Sequence, residues 1–453
     1  MHLIKRTGLL TLLFYSSFTA YSQTKEVIDT VKLSSYLRAI HLKTGFSGEL
    51  LVAHGTTVLF QKTTGMASYE NNLALRTGAK YRIASISKTF TGALIALAEE
   101  EQRLSINDKV SSYIKELSPE FGEVTIEQLL THTSGLPHNE GIDGYWQIKS
   151  KLPMTREQAI SEINALDLLF TPGSAMGYSS LGYYLLAVVL ENIYQQNFQD
   201  ILQSKILKKL QMDETGLIDN LKILPRMASG YHLITDDSLV VAPYRDYSML
   251  KGAGDMYSTA TDLLKWNTSF FSNLLLKENT KAIIPKAKAE HNAAYGYGWF
   301  ITPDKYYHGG GTWGYSTHTA VYPEQNLSII LLSNVSTLPI SSIAEDVEKI
   351  VFGKPFQLPL AEEKSKEEVN LEMYHGNFLS ETNSMLLVIK KVENSLYAQL
   401  GTNPAFEIYP KGGHQFFGKK VEIEFTFNVA HSLVTGVSAK RAGQIFYFKK
   451  TIR

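Results

Sequence analysis

Three short stretches, far apart in the chain, carry side chains that could do chemistry together. In Ser85-Ile86-Ser87-Lys88 a hydroxyl and an amine stand at positions i and i+3. On a helix such residues share one face, about one turn apart, so the Lys88 amine can lie beside the Ser85 hydroxyl. If Ser85 opens the helix, it also meets the positive end of the helix dipole and free backbone N–H groups. These are the parts of an activated nucleophile: a hydroxyl, a proton acceptor and an electropositive pocket. By itself the tetrapeptide fits a serine cap with a solvated lysine equally well. The apolar run Thr91–Ala98 behind it argues for a buried helix instead. The second stretch, Tyr178-Ser179-Ser180, leads into the apolar run Leu185–Leu190, and Ser179 also fits a simple helix cap. The third, His308-Gly309-Gly310-Gly311, reads as a strand that turns glycine-rich, with His308 as a candidate for substrate contact or for bracing that strand. His132, in Thr131–Pro137, is either a base or a histidine that holds a loop by hydrogen bonds.

Composition narrows the chemistry. The 453 residues are 44% hydrophobic and 19% charged, which are globular values. Lys+Arg and Asp+Glu both number 44, so the charge balance points to no nucleic-acid partner. There is no cysteine, which excludes disulfides, thiolate catalysis and cysteine-ligated zinc. No His-Glu-x-x-His, P-loop or Gly-x-Ser-x-Gly motif occurs, against a metalloprotease, a P-loop enzyme or an α/β-hydrolase. Residues 1–22 read as a secretory signal: Lys5 and Arg6, a short apolar core Gly8–Phe14, and the small-x-small exit Ala20-Tyr21-Ser22. The mature chain is then expected to begin near Gln23, outside the cytoplasm, with no membrane span after signal removal.

The elements that must position these residues follow in order. A helix is expected over Val27–Leu42 and strands over Gly48–His54 and Thr57–Thr63. A helical middle follows, with capping patterns at Thr125/Gln128, Thr155/Gln158 and Thr259/Asp262. Strands return at Tyr297–Ile301, Tyr306–Tyr315, His318–Tyr322 and Leu327–Ser333, before a helix over Ile343–Phe352. Two strands, a helical insertion and more strands suggest one α/β layer whose sheet is shared by both ends of the segment. Residues 354–368, with two prolines and a charge run, read as a linker between a main domain at 23–353 and a second at 369–453. Beyond it the alternation in Val421–Phe427, with similar runs at Met385–Lys391, Leu396–Gly401, Ala405–Tyr409 and Ile445–Lys449, predicts a small antiparallel β-barrel or sandwich.

Taken in this order, the three motifs resemble the serine β-lactamase and penicillin-binding-protein superfamily, in its class C-like branch with D-aminopeptidases, D-Ala-D-Ala carboxypeptidases and esterases. The flanking stretches Leu129–Pro137, Phe170-x-Pro172-Gly173, Ala253–Ala260 and Tyr295–Trp299 extend the likeness over about residues 27–352. The resemblance implies an α/β (α+β) fold: an antiparallel sheet flanked by helices, a helical subdomain, then a C-terminal lipocalin-like β-barrel. It implies Ser85 as nucleophile, Lys88 as its proton partner and Tyr178 as a proton shuttle. It implies an oxyanion hole from the N–H groups of Ser85 and Gly311, and substrate contacts from Ser180, His308, Gly309 and Gly310. Neither metal nor cofactor is implied, and the partner is a small-molecule or peptide substrate.

Two positions depart from the pattern. His308 stands where many β-lactamases have lysine, so a charge facing a substrate carboxylate would follow pH. Ser180 stands where asparagine is usual and offers only a short hydroxyl, which puts β-lactam hydrolysis in doubt more than acyl transfer. The expectation is an exported acyl-enzyme hydrolase of the penicillin-binding or D-peptidase kind with weak β-lactamase activity at most. A carboxylesterase on the same fold, and a sensor that acylates without turnover, are the alternatives.

Overall fold

The computed structural model describes residues 28–451 apart from 236–237, 278–288, 291–292, 337, 357, 359–368, 381–384, 402–404, 419–422 and 442–443. The expected leader at 1–22 and most of the expected linker at 354–368 lie outside the described residues. The longer helices are α1 (Thr30–Thr44), α2 (Ser87–Glu100), α3 (Ser180–Tyr194), α4 (Ala260–Ser269) and α5 (Ile340–Val351). The large sheet is built from β1 (Gly48–His54), β2 (Thr57–Thr64), β3 (Ala289–Glu290), β4 (Ala293–Gly296), β5 (Trp299–Ile301), β6 (Tyr306–Thr312), β7 (Tyr315–Tyr322) and β8 (Leu327–Ser333). Its spatial order is β3-β4-β5-β6-β7-β8-β1-β2, so β1 pairs with β8 and both ends of the segment share one sheet, as expected.

Alternation along the strands decides what covers each face. Leu50 and Val52 of β1, with Ile329 and Leu331 of β8, pack with Leu37 of α1 and Val347 of α5. Leu51, Ala53, Ile330 and Leu332 point the other way, into a core shared with Phe90 and Leu94 of α2 and Trp266 of α4. Helix α2 therefore lies against a sheet whose central strands are apolar on both faces. The capping boxes hold as read: Thr125 and Gln128, and Thr155 and Gln158, each exchange side-chain to backbone bonds. Thr259 accepts from the Asp262 N–H at 3.1 Å.

Boundaries differ where backbone conformation, invisible to periodicity, intervenes. The strand expected over Tyr297–Ile301 begins only at Trp299, because Tyr297 (φ 51°) and Gly298 (φ 86°) form a left-handed two-residue turn between β4 and β5. Helix α4 starts at Ala260, directly after its Thr259 cap, and Met256–Ser258 before it is a short strand paired with Tyr81–Arg82.

At the C-terminal end, β9 (Gly376–Ser380), β10 (Leu386–Val392), β11 (Ser395–Leu400), β12 (Phe406–Gly412), β13 (Gln415–Gly418), β14 (Ile423–Ala430), β15 (Leu433–Arg441) and β16 (Gln444–Lys450) close into a barrel in sequence order. Phe378, Leu387, Phe416, Phe425, Phe427 and Phe448 belong to its buried core. The five runs read from alternation are present; β9, β13 and β15 are additional.

One buried carboxyl in the large sheet yields a stability test. Glu49 is fully buried on β1; its Oε1 accepts from Gln61 Nε2 at 2.7 Å and its Oε2 has no partner. Burial pushes its pKa up to about 7, against the ordinary 4.5. A raised folded-state pKa gives stability that is complete below pH 4.5 and is lost as pH rises through about 7. Glutamine does not titrate. The Tm of Glu49→Gln relative to the parent should therefore rise between pH 5 and pH 8; a difference independent of pH would refute the buried neutral carboxyl.

Candidate active site

The chain enters the site through a strained step. Tyr81–Arg82 is a short strand, and Ala84 then takes φ 47°, a left-handed conformation uncommon for alanine. Ser85 sits in the 3₁₀ turn Ala84–Ile86, immediately before α2 begins at Ser87. Ser85 thus precedes the helix by one turn rather than opening it. It is half-buried, while Ala84 and Ile86 on either side are buried. The turn is tied down by the Ser87 hydroxyl, which donates to Ala84 O at 2.6 Å and accepts from the Met256 N–H at 3.2 Å.

Lys88 is fully buried. Its Nζ lies 3.1 Å from Ser85 Oγ, 3.1 Å from Ser180 Oγ and 2.7 Å from Ala253 O. No carboxylate lies within ion-pair range of it among the described residues. Burial, and then the Arg245 charge, hold its pKa well below the ordinary lysine value, with the Asp255 carboxyl opposing them. A neutral amine keeps two donors and one lone pair. The Ala253 carbonyl must accept, so the lone pair is free to receive a proton from one of the two serine hydroxyls.

Tyr178 comes from the turn before α3. Its pKa feels the Ser85 side chain, which favours the phenolate against the larger effect of burial, and Lys88 Nζ stands 4.9 Å from its ring centroid. Burial pushes the phenol pKa up, so this hydroxyl rests protonated rather than as the phenolate. Ser179 is the N-cap of α3: its Oγ donates to Pro137 O at 2.7 Å and accepts from the Gly182 N–H at 3.2 Å. The Thr131–Pro137 segment is the frame for this turn. His132, at φ 58°, accepts from the Ser179 N–H through Nδ1 at 3.2 Å, and its carbonyl accepts from Gly177 N at 2.8 Å. Its ring packs 4.4 Å from Tyr178 and 4.4 Å from Tyr295, between centroids. Of the two readings of His132, the loop brace is the one these contacts describe.

The glycines of β6 lie beside the nucleophile turn. A Cβ on Gly310 would fall 2.2 Å from Ile83 O and 2.4 Å from Thr317 Oγ1, so only glycine lets the strand approach this closely. On Gly311 a Cβ would meet nothing within 4 Å, and this residue is exposed. A Cβ on Gly309 would meet only Thr317 O, at 3.7 Å. The Tyr297–Gly298 turn locks α2 to the sheet from the other end: a Cβ on Gly92 would sit 2.1 Å from Tyr297 O.

Two of the expected substrate-contact residues are buried in the structure. His308 does not present a titrating charge: it is 2% exposed, its Nε2 lies 3.1 Å from Tyr295 Oη and its Nδ1 bonds Gly309 O. Burial, with Lys88 adding to it, lowers its pKa to about 3. Ser180 is buried, and its hydroxyl accepts from Lys88 Nζ. Three residues near the site escaped the sequence reading: Tyr295, which holds His308; Asp255, whose carboxyl acts on Lys88; and Arg245, buried beside Thr312. Tyr295 and Asp255 lie in the flanking stretches Tyr295–Trp299 and Ala253–Ala260, which name no role for either, and Arg245 lies in no motif.

Comparison with known proteins shows the family. The family model described as Beta-lactamase matches residues 44–347. Penicillin-binding protein 4* of Bacillus subtilis (strain 168) is 28% identical over 424 residues, covering 87% of this chain and 93% of that protein. The crystal structure of penicillin binding protein from Bacillus halodurans is 25% identical with a TM-score of 0.62, covering 70% of this chain and 99% of that one. The octameric penicillin-binding protein homologue from Pyrococcus abyssi shares the fold at TM-score 0.65 and 21% identity, over 93% of this chain and 100% of that one.

The His308 environment gives a direct check. Its imidazole should remain neutral from pH 5 to pH 8 in NMR titrations, assigned by difference with His308→Gln. A midpoint near 6.5 would mean a solvated ring and would restore the charged role.

Proposed function

The chain belongs to the beta-lactamase family, and on that premise we propose that it is an exported serine hydrolase that takes an acyl group from an amide or ester onto Ser85 and passes it to water. The observation that carries this reading is the buried Lys88 amine, 3.1 Å from Ser85 Oγ and shifted toward its neutral form. As Ser85 Oγ bonds to the substrate carbonyl carbon, its proton moves to Lys88 Nζ and the carbonyl electrons move to oxygen. The oxyanion is received by the N–H groups of Ser85 and Gly311, where each donor is typically worth about 10²–10³ in rate. When the oxyanion collapses, the bond to the leaving nitrogen or oxygen breaks. That atom takes the Tyr178 hydroxyl proton while Tyr178 is resupplied from Lys88. Water reverses the sequence: its proton goes to the Tyr178–Lys88 pair, its oxygen to the acyl carbon, and Ser85 recovers its proton as the acid departs. Export follows from the leader read at residues 1–22; among the described residues no helix is long and apolar enough to cross a membrane.

The leaving-group side of the cleft constrains the substrate. Tyr178 protonates the leaving atom, and the groups packed there are His308, Tyr295 and Phe300, with ring centroids 6.2, 6.2 and 6.5 Å from Tyr178. His308 is neutral and Ser180 is spent on Lys88. A carboxylate on the leaving group, as in a D-Ala-D-Ala terminus or a β-lactam, finds no cation at this end. Amides and esters with uncharged leaving groups fit better, which keeps the carboxylesterase reading open and makes β-lactam turnover weak.

Ser85→Ala should abolish covalent labelling by an activated phosphonate, read as intact mass, and lower kcat by on the order of 10⁴–10⁶. Labelling that survives would move the nucleophile elsewhere. Tyr178→Phe should fold and still label slowly, with turnover of p-nitrophenyl esters and D-amino-acid amides reduced at least about 10²-fold; near-parental kcat would make Tyr178 a packing residue. Labelling without any turnover by the parent would instead support a sensor. The pH profile supplies a further check. The Asp255 carboxyl raises the Lys88 pKa, so Asp255→Asn should move the acid limb of kcat/KM to lower pH. A shift to higher pH would contradict Lys88 as the base.

A further inference from the structure

Resting on the acyl-enzyme reading, we infer that the Thr312 end of the cleft is a binding site for a carboxylate on the acyl side of the substrate, with Arg245 as its reader. The direction follows from strand geometry. Tyr178 and His308 mark the leaving-group end of β6. Thr312 lies four residues further along, about 13 Å at roughly 3.4 Å per residue, beyond Gly311 on the opposite side of the reacting carbon. The acyl chain must extend toward Thr312.

Arg245 waits there with its charge uncompensated. It is 5% exposed. Its Nη1 donates to Thr312 Oγ1 at 3.0 Å and its Nη2 to Tyr145 Oη at 3.2 Å, while Nε has no partner. The ring of Trp146 lies 5.0 Å and that of Trp313 lies 6.0 Å from the guanidinium carbon, and both tryptophans are partly exposed. No carboxylate lies in ion-pair range among the described residues. The neighbouring Asp246 is turned away, accepting from the Ser248 N–H at 2.8 Å and the Ser248 hydroxyl at 2.5 Å. Glu140 is drawn to His138, 3.6 Å away. A second guanidinium stands behind the first: Arg82 Nη1 donates to Tyr247 Oη at 2.8 Å, and Tyr247 Oη lies 3.4 Å from Thr312 Oγ1. Arg82 also lacks a carboxylate in range among the described residues.

A guanidinium has five donors, and Arg245 spends two on neutral hydroxyls. Burying such a charge without a counter-ion is costly, and the fold maintains Arg245 in that state with the part-buried Arg82 behind it. A carboxylate accepts paired N–H bonds from the guanidinium fork, and the two tryptophans supply walls for the apolar stem that carries it.

Aryl boronic acids test this directly, because boron bonds to the serine oxygen and the aryl group occupies the acyl side. Full-length protein should bind 4-carboxyphenylboronic acid at least about tenfold more tightly than phenylboronic acid by calorimetry. That ratio should fall to about one in Arg245→Gln and be partly kept in Arg245→Lys. Equal affinities in the unmutated protein would overturn the proposal without any variant having to fold. A non-covalent arm separates it from the nucleophile assignment: Ser85→Ala is titrated with benzoate and with benzamide, read by tryptophan fluorescence, since Trp146 and Trp313 are two of the four tryptophans. If neither boronate binds but benzoate alone perturbs the fluorescence, and Arg245→Gln removes that response, the carboxylate site stands and Ser85 is not the nucleophile. If benzoate and benzamide also behave alike, the site is overturned.

Discussion

A lysine amine without a counter-ion, fully buried and held by two serine hydroxyls and one backbone carbonyl, is the constraint on which the rest of the structure depends. Water would keep that amine charged, and a carboxylate at contact distance would fix the charge. Lys88 has neither, so desolvation works against protonation and leaves a base inside the protein. The cost of burial falls on the fold, which must surround one turn of α2 completely.

That enclosure explains why segments so distant in sequence converge. Ala253, in a turn, and Ser180, at the start of α3, reach Lys88 from 165 and 92 residues away. Behind the helix the Tyr297–Gly298 turn presses on Gly92 and on the Lys88 backbone, at distances that exclude any Cβ. On the other side Gly310 admits Ile83. Glycine at these contacts is a packing requirement: each removes one methyl from a place where two backbones meet. The large sheet carries all of this, with β6 fixed to β7 in a continuous antiparallel register from Tyr306 to Thr312.

How much was legible beforehand follows the same physics. Strands β1 and β8, the capping boxes and the alternating barrel strands are local patterns, and periodicity finds them. The three motifs were visible because each keeps its residues within a few positions. What stayed hidden depends on φ or on burial. Nothing in Tyr297-Gly298-Trp299 announces a left-handed tyrosine. The charge of His308 could not be judged until Tyr295 was placed against it. That the Ser180 hydroxyl accepts from Lys88 depends on where α2 and α3 meet, which no local pattern states. Arg245 belongs to no motif, and only its distance from Thr312 marks it.

The two departures from the family pattern are physically coherent with each other. A lysine at position 308 would stand in a pocket formed by Tyr295, Phe300 and the Gly309 carbonyl, with no carboxylate to neutralise it. Its charge would add to the field that already depresses Lys88. A neutral histidine adds no charge to Lys88, and the Ser180 hydroxyl bonds the amine without bringing a larger amide into the pocket. Positive charge has not disappeared from the cleft; it stands at the Thr312 end, in two arginines that burial cannot deprotonate. Arginine there and histidine at 308 divide the cleft into an end that tolerates permanent charge and an end that excludes it. The base feels both ends: Arg245 lowers its pKa, and its own charge lowers that of His308.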